Sequence, residues 1–121
     1  MSADLAALAE EDYCYLTTTG RARGQAHELE IWFGIEGSTL YLLSGGRERS
    51  DWVRNLRRAP DVSLRIGESR FAGRARIVDA PEEHARVRSL LVEKYALRYS
   101  GDLSDWGRNA LPVAVDLAVK G

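Results

Sequence analysis

His27-Glu28-Leu29-Glu30-Ile31-Trp32-Phe33-Gly34-Ile35-Glu36 is the stretch that decides the fold. It alternates with a period of two. His27, Leu29, Ile31, Phe33 and Ile35 share one face, and Glu28, Glu30, Trp32 and Gly34 share the other. Successive side chains of a strand point to opposite sides, so the run reads as one half-buried strand. Glu36-Gly37-Ser38 supplies a turn, and residues 39–44 supply an apolar return strand. The pair reads as an antiparallel hairpin.

The same pattern extends outward in both directions. Residues 13–19 are rich in aromatic and β-branched side chains and read as a strand. Residues 61–66 and 70–78 form two more, joined by Gly67-Glu68-Ser69, and Arg74 and Arg76 line one wall of the second. Residues 111–119 form a last strand, with Pro112 near its start. Helical patterns fill the rest. Residues 2–10 carry Ser2 as a cap and Asp4 in the first turn. Residues 50–58 begin at a Ser50 cap and stop before Pro60. The longest helix runs from Pro81 to about residue 99, with Val87, Leu90, Leu91 and Tyr95 as its buried stripe and Glu82–Arg86 as an i,i+4 ion pair. Residues 103–108 form a short helix carrying Trp106.

The order is helix, three strands, helix, two strands, long helix, strand. It lacks the regular βαβ alternation of a doubly wound sheet. The fold expected is mainly β (α+β): a six-stranded antiparallel barrel with helices packed outside. Residues 1–121 read as one domain, with an N-terminal helix over 1–12 and the barrel with its other helices over 13–117.

Composition narrows the function. A chain of 121 residues suits one domain with a real core. No apolar run is long enough to span a bilayer and no signal-peptide pattern opens the chain, so the expected location is cytoplasmic. Cys14 is the single cysteine, which excludes an intramolecular disulfide and reads as a buried structural thiol. Cys14, His27 and His84 make no metal-ligand spacing, so no metal is expected. His84 and the Arg57-Arg58 pair read as solvated, and Asp102 and Asp105 as loop and cap residues around the short helix.

Net charge is −1, but it is unevenly placed. Residues 1–20 hold four acids and no Lys or Arg, whereas residues 21–78 hold eleven arginines against seven acids. The negative total, and arginines not interleaved with aromatics, argue against nucleic acid. The acidic polar face of the first helix argues against an anionic membrane.

Within the basic segment lie two glycine loops. One is Gly20-Arg21-Ala22-Arg23-Gly24. The other follows a strand and opens a helix: Tyr41-Leu42-Leu43-Ser44-Gly45-Gly46-Arg47-Glu48-Arg49-Ser50-Asp51-Trp52. Arginine forks, accessible backbone amides and a helix start can together bind phosphate or carboxylate. Ordinary turns are the alternative reading of each loop.

Three blocks carry a resemblance: residues 17–24, residues 40–60 ending in Asn55-Leu56-Arg57-Arg58-Ala59-Pro60, and the strand pair over 62–77. The chain resembles the split β-barrel flavin and deazaflavin oxidoreductases, the superfamily that includes pyridoxamine-phosphate oxidase. Within it the chain looks most like the deazaflavin-dependent nitroreductase family. The resemblance implies a homodimer of split barrels with the 8-hydroxy-5-deazaflavin coenzyme F-420 in a groove near the dimer interface, FMN being the alternative cofactor. It implies hydride transfer to a small unsaturated, quinone-like or nitro compound. No catalytic side chain is implied, because the cofactor carries the chemistry. Arg21 and Arg23 would meet the anionic tail, with Gln25 and His27 along the same wall. Ser44, Gly45 and Gly46 would approach the ring system. Arg49, Ser50 and Trp52 would finish that wall, and Asn55 would orient the helix. Tyr95, Tyr99 and Trp106 would wall the substrate pocket. Glu28 and Glu30 depart from this pattern. Two roles stay open for them, pairing with Arg74 or Arg76 across the sheet and binding substrate. A barrel that binds a ligand without turnover is the third functional reading.

Overall fold

The structure, a computed structural model, describes residues 5–118 apart from residue 22. The Ser2 cap, Asp4 and residue 119 of the last strand lie outside it. The alternating run does not stay one strand. It divides into β2 (Ala26–Ile31) and β3 (Gly34–Glu36), with Trp32 and Phe33 between them. The cause is Tyr95. Its hydroxyl accepts the Phe33 amide at 3.0 Å, and its ring stacks on Trp32 with centroids 4.1 Å apart and planes 2° apart. The Phe33 carbonyl accepts from Lys94 Nζ at 3.0 Å. Both polar groups of that peptide are thus taken by side chains, and the ladder stops there.

The pairings change accordingly. β2 runs antiparallel to β1 (Cys14–Thr19), from Cys14 opposite Ile31 to Thr19 opposite Ala26. β3 pairs with β4 (Thr39–Ser44) only from Gly34 opposite Tyr41 to Glu36 opposite Thr39. The remaining strands are β5 (Asp61–Ile66), β6 (Ser69–Ile77) and β7 (Leu111–Leu117). Among the described residues the sheet has seven strands in the order β2-β1-β5-β6-β7-β4-β3, every pair antiparallel. Seven replace the expected six because one run became two; the mainly antiparallel class holds. The two edges of the curled sheet, β2 and β3, are consecutive in the chain, so the opening of the half-barrel lies beside Trp32 and Phe33.

Among the described residues four α-helices complete the fold: α1 (Leu5–Leu8), α2 (Asp51–Arg58), α3 (Pro81–Ala96) and α4 (Ser104–Asn109). Inside the curl, Leu16, Phe33, Leu40, Leu42, Leu64, Ile66, Val113 and Val115 are buried together with Val53 and Leu56 of α2. That helix therefore plugs the barrel core instead of lying wholly outside. A second cluster unites the outer side of β4 and β7 with α3, through Tyr41, Leu43, Ala114, Val87 and Leu91. Burial on both faces explains the unbroken apolar run Leu40-Tyr41-Leu42-Leu43. Each such side chain contributes about 1.5–3 kcal/mol.

Polar links set the helices on the sheet. Arg76 bonds both carboxylate oxygens of Glu83 at 2.8 Å and reaches Asp116 at 2.9 Å, while the Tyr41 hydroxyl donates to Glu83 at 2.6 Å. Bonds from Arg76 and Tyr41 hold the Glu83 carboxyl down to about 2. Arg86 crosses to Glu36 at 3.2 Å, so the expected Glu82–Arg86 pair does not form. Arg74 pairs with Asp61, its register partner, at 3.2 Å. With Arg74 and Arg76 so engaged, Glu28 and Glu30 make no ion pair among the described residues. His84 is half-buried and its Nδ1 accepts Arg88 Nε at 3.2 Å, against the solvated role expected. Burial, then Arg88 and Arg47, hold its imidazole below the ordinary range. Asp102 accepts the Ser104 amide at 2.9 Å in the loop that enters α4, whereas Asp105 accepts from Asn109 at 2.6 Å one turn on within that helix, a side-chain link and not the cap expected.

Candidate functional site

The β1–β2 hairpin and the start of α2 converge on a trench of about 550 Å³. The hairpin loop turns back at Gly24, whose φ of +66° suits glycine. Gly20 is required for a different reason. A Cβ there would lie 2.6 Å from Nε2 of His27, so the bare backbone lets that imidazole lie against the loop. His27 stands opposite Thr18 in the ladder, and both line the trench with Gly20, Arg21, Arg23, Gln25, Glu28 and Leu29. Asp51, Trp52 and Asn55 of α2 form the facing wall.

Asn55 ties the two walls together. It is 5% exposed; its Nδ2 donates to Thr18 Oγ1 at 3.1 Å and its Oδ1 accepts Arg21 Nη1 at 2.9 Å. Arg21 also reaches the Asp51 carbonyl at 3.1 Å and the Asp51 carboxylate at 3.4 Å. A buried amide with both ends satisfied thus fixes the loop to the helix. Arg23 is exposed and makes no ion pair among the described residues. Trp52 and Leu29 are partly buried and pack on the barrel core, so they give the trench an apolar floor.

Six of the sequence-derived cofactor residues therefore come together: Arg21, Arg23, Gln25, His27, Trp52 and Asn55. Five do not line this trench. The Ser44 hydroxyl donates to the Arg47 carbonyl at 3.0 Å, which leaves Ser50 Oγ to donate to Ser44 Oγ at 2.8 Å. Ser50 precedes α2 without a side-chain cap bond for that reason. Gly45, Gly46 and Arg49 belong to the same turn, where Arg47 adopts φ +54° and its guanidinium bonds the Asn109 carbonyl. Thr18, Leu29 and Asp51 are trench residues that the motif reading passed over, and Glu28, which it left between two roles, lines the trench as well. Reading 14–31 as a hairpin would have found Thr18 and Leu29, because they share the inward face with His27.

The aromatic group lies farther along β2. Tyr95 is 1% exposed, so it supports from behind and walls nothing. Its hydroxyl donates to the Asp12 carbonyl at 2.7 Å, and burial raises its pKa well above the ordinary phenol range. Trp32 lies on it. Tyr99 and Trp106 meet Trp32 edge-on, each at 5.4 Å. Trp32 and Trp106 line a cleft of about 320 Å³ with Tyr13, Glu30, Ile31 and Leu43. Trp32 is the site candidate that the alternation concealed, since it read as an outward strand residue.

The model of the F420H(2)-dependent quinone reductase family matches residues 5–118. The chain belongs to that family. The F420H(2)-dependent quinone reductase Rv1261c of Mycobacterium tuberculosis is 31% identical over 104 residues, 83% of this chain and 69% of that protein. Among solved structures, an F420-H2 dependent reductase, FDR-A, superposes with a TM-score of 0.69 at 20% identity, covering 86% of this chain and 93% of the other. A Listeria innocua structure described as a candidate pyridoxamine 5'-phosphate oxidase also gives 0.69 at 20% identity, covering 94% and 90%. At those identities the two structures establish the fold.

Membership in the quinone reductase family makes the chain an oxidoreductase with the deazaflavin as cofactor. The FMN-binding and non-catalytic alternatives give way to it. The trench suits such a group. It offers an exposed guanidinium, a second one beside it, and an apolar floor.

Proposed function

We propose that the Arg21–Arg23 trench holds the deazaflavin by its acidic tail, and that the cleft beside Trp32 and Trp106 receives a quinone. One observation carries this reading. His27, Leu29 and Ile31 occupy the same face of β2, with His27 and Leu29 in the trench and Ile31 in the aromatic cleft. Alternate residues on a strand are about 6.6 Å apart, so the two pockets are neighbours along one wall. Arg23 and Arg21 meet negative charge at one end, and Trp32 and Trp106 offer flat apolar surface at the other.

When bound in reduced form, the deazaflavin would supply a hydride, which with one proton converts a quinone to the neutral hydroquinone. The chain's own residues bind and orient. Trp52 and Leu29 exclude water from the floor, and Asn55 holds the two trench walls in register. Tyr95 fixes the plane of Trp32 by stacking and does not touch substrate. The homodimer implied by the resemblance is part of this reading, supported by an outer sheet face that no helix covers among the described residues.

The test is a fluorescence titration with the deazaflavin, followed by assays with naphthoquinones under reduced cofactor. Micromolar binding and acceptor-dependent oxidation are expected. Wild-type affinity for the acceptor should drop in Trp32→Ala with cofactor binding retained. Failure to bind the deazaflavin, or an acceptor KM unmoved by Trp32→Ala, overturns the assignment.

A further inference from the structure

Glu30 is a carboxylate that the fold leaves without a task. An ion pair across the sheet is closed to it, because Arg74 pairs with Asp61 and Arg76 with Glu83 and Asp116. Glu30 is exposed, makes no ion pair among the described residues and lines the aromatic cleft.

The cleft has its own electrostatics. Tyr13, Glu30, Ile31, Trp32, Leu43 and Trp106 line it, with no Lys or Arg among the described residues. Lys94 and Arg98, at the C-terminal end of α3, are held elsewhere. Lys94 donates to the Glu11 and Phe33 carbonyls, and Arg98 pairs with Glu10 and Asp12. The neighbouring trench differs, since it carries Arg21 and Arg23 beside Glu28 and Asp51.

The walls suit a cation as well. An aromatic ring carries negative potential over its face. Tyr95 covers one face of Trp32, with centroids 4.1 Å apart. Trp106 is nearly perpendicular to both rings, 5.4 Å from Trp32 and 6.4 Å from Tyr95. Being almost equally far from the two stacked rings, it stands beside the stack and not over it. The face of Trp32 turned away from Tyr95 is therefore left to the cleft. Two indoles at right angles, the half-exposed Tyr13 ring and one carboxylate make a partial aromatic cage. Cages of this kind recognise organic cations.

We infer that the cleft selects acceptors that carry a fixed positive charge, and that Glu30 sets this preference. The ligand class is a flat quinone bearing a quaternary ammonium or heteroaromatic cation as substituent. The quinone still takes one hydride and one proton and becomes the hydroquinone, so the charge on the substituent passes through turnover unchanged. The acceptor role rests on the proposed assignment of this cleft to the quinone; the cation site itself does not.

Nitrogen–proton NMR of the full chain tests the site without cofactor. The three tryptophans give three indole N–H signals, assigned from Trp32→Phe, Trp52→Phe and Trp106→Phe. Trp52, in the trench, is the internal control. The probes are N-methylquinolinium and quinoline, which share a ring system and differ in charge at neutral pH. The cation is expected to bind at least roughly tenfold tighter, and to move the Trp32 and Trp106 signals but not that of Trp52. Glu30→Gln should cut the ratio of the two affinities to about threefold or less, while Glu30→Asp keeps part of it. Added salt should lower the ratio in wild type. Circular dichroism melts check that these exposed substitutions leave the fold intact. Equal affinities for the two probes, shifts confined to Trp52, or a ratio unchanged in Glu30→Gln overturn the inference. Quinone reduction with the reduced deazaflavin then reads the acceptor role. Competitive inhibition by N-methylquinolinium against a naphthoquinone supports it. Binding of the probe without competition overturns the acceptor role and leaves the cation site standing. A charge preference that persists in a protein unable to reduce any quinone overturns the proposed function alone.

Discussion

Arg23→Gln should weaken deazaflavin binding more cleanly than any other single change. Arg23 is exposed and carries no internal ion pair among the described residues, so an acidic ligand meets it without displacing a partner. A charge-assisted hydrogen bond of this kind is worth about 1.5–3 kcal/mol. At 1.4 kcal/mol per decade, the dissociation constant should rise roughly 10- to 150-fold. Thermal stability should stay within about 0.5 kcal/mol, as for most surface substitutions. Arg21→Gln should behave differently. Arg21 already serves α2 through Asn55 at 2.9 Å and the Asp51 carbonyl at 3.1 Å. Removing it strands the Oδ1 of an Asn55 that is 5% exposed, at a further cost of about 1–3 kcal/mol to folding. The Asp51 carboxylate, 86% exposed and 3.4 Å away, adds little. Fluorescence titration at low and high salt, beside thermal melts, resolves the pair. Wild-type affinity should fall with salt, and the Arg23→Gln line should be flatter because one screened contact is gone. An Arg23→Gln protein that binds within about twofold of wild type would refute the tail-binding assignment.

Other consequences can be checked separately. Tyr95→Phe removes the only side-chain acceptor of the buried Phe33 amide among the described residues and should cost about 1–3 kcal/mol in urea unfolding; a loss below about 0.5 kcal/mol would show that water replaces the hydroxyl. Glu83 has a folded pKa of about 2 against an ordinary 4.5, so its contribution is complete above about 4.5 and is lost as pH falls towards 2. The full shift corresponds to about 3 kcal/mol, which the 42% exposure of Arg76 reduces to about 1 kcal/mol. Glu83→Gln should flatten that limb of the acid-unfolding curve, and identical curves would contradict it. Burial pushes the Cys14 thiol up to about 12, so a thiol reagent at pH 8 should label it only on unfolding; rapid native labelling would show that the strand opens.

Local chemistry made most elements legible. The 61–77 hairpin, the helix before Pro60 and the basic loop after β1 each carry their own signals, and those signals agree with the tertiary outcome. The Trp32–Phe33 break was hidden because alternation persists across it. The Tyr95 hydroxyl and Lys94 Nζ, more than sixty residues away, take the Phe33 backbone groups and interrupt the ladder. Ion pairs failed for a similar reason. Glu82–Arg86 is favourable within a helix, but Glu36 competes for Arg86 across the fold. Half of the candidate site was readable because Arg21, Arg23 and His27 lie on one hairpin. The Ser44–Ser50 hydroxyl pair, by contrast, closes the second glycine turn on itself. Tyr95 looked like a pocket wall because an aromatic on an apolar stripe gives no sign of which side of the stripe faces a cavity.

The place of β7 between β6 and β4 has a kinetic consequence. Residues 111–117 join two groups of strands, β2-β1-β5-β6 and β4-β3, that share no other ladder. During synthesis on a ribosome, the six other strands can pair in the β1–β2, β3–β4 and β5–β6 hairpins, but β4 must wait some seventy residues for its second neighbour. Closure is therefore a late event with a long loop to shut, and folding should be slow for a chain of this length. Until then the apolar side chains of β4 stay open to capture by a chaperone.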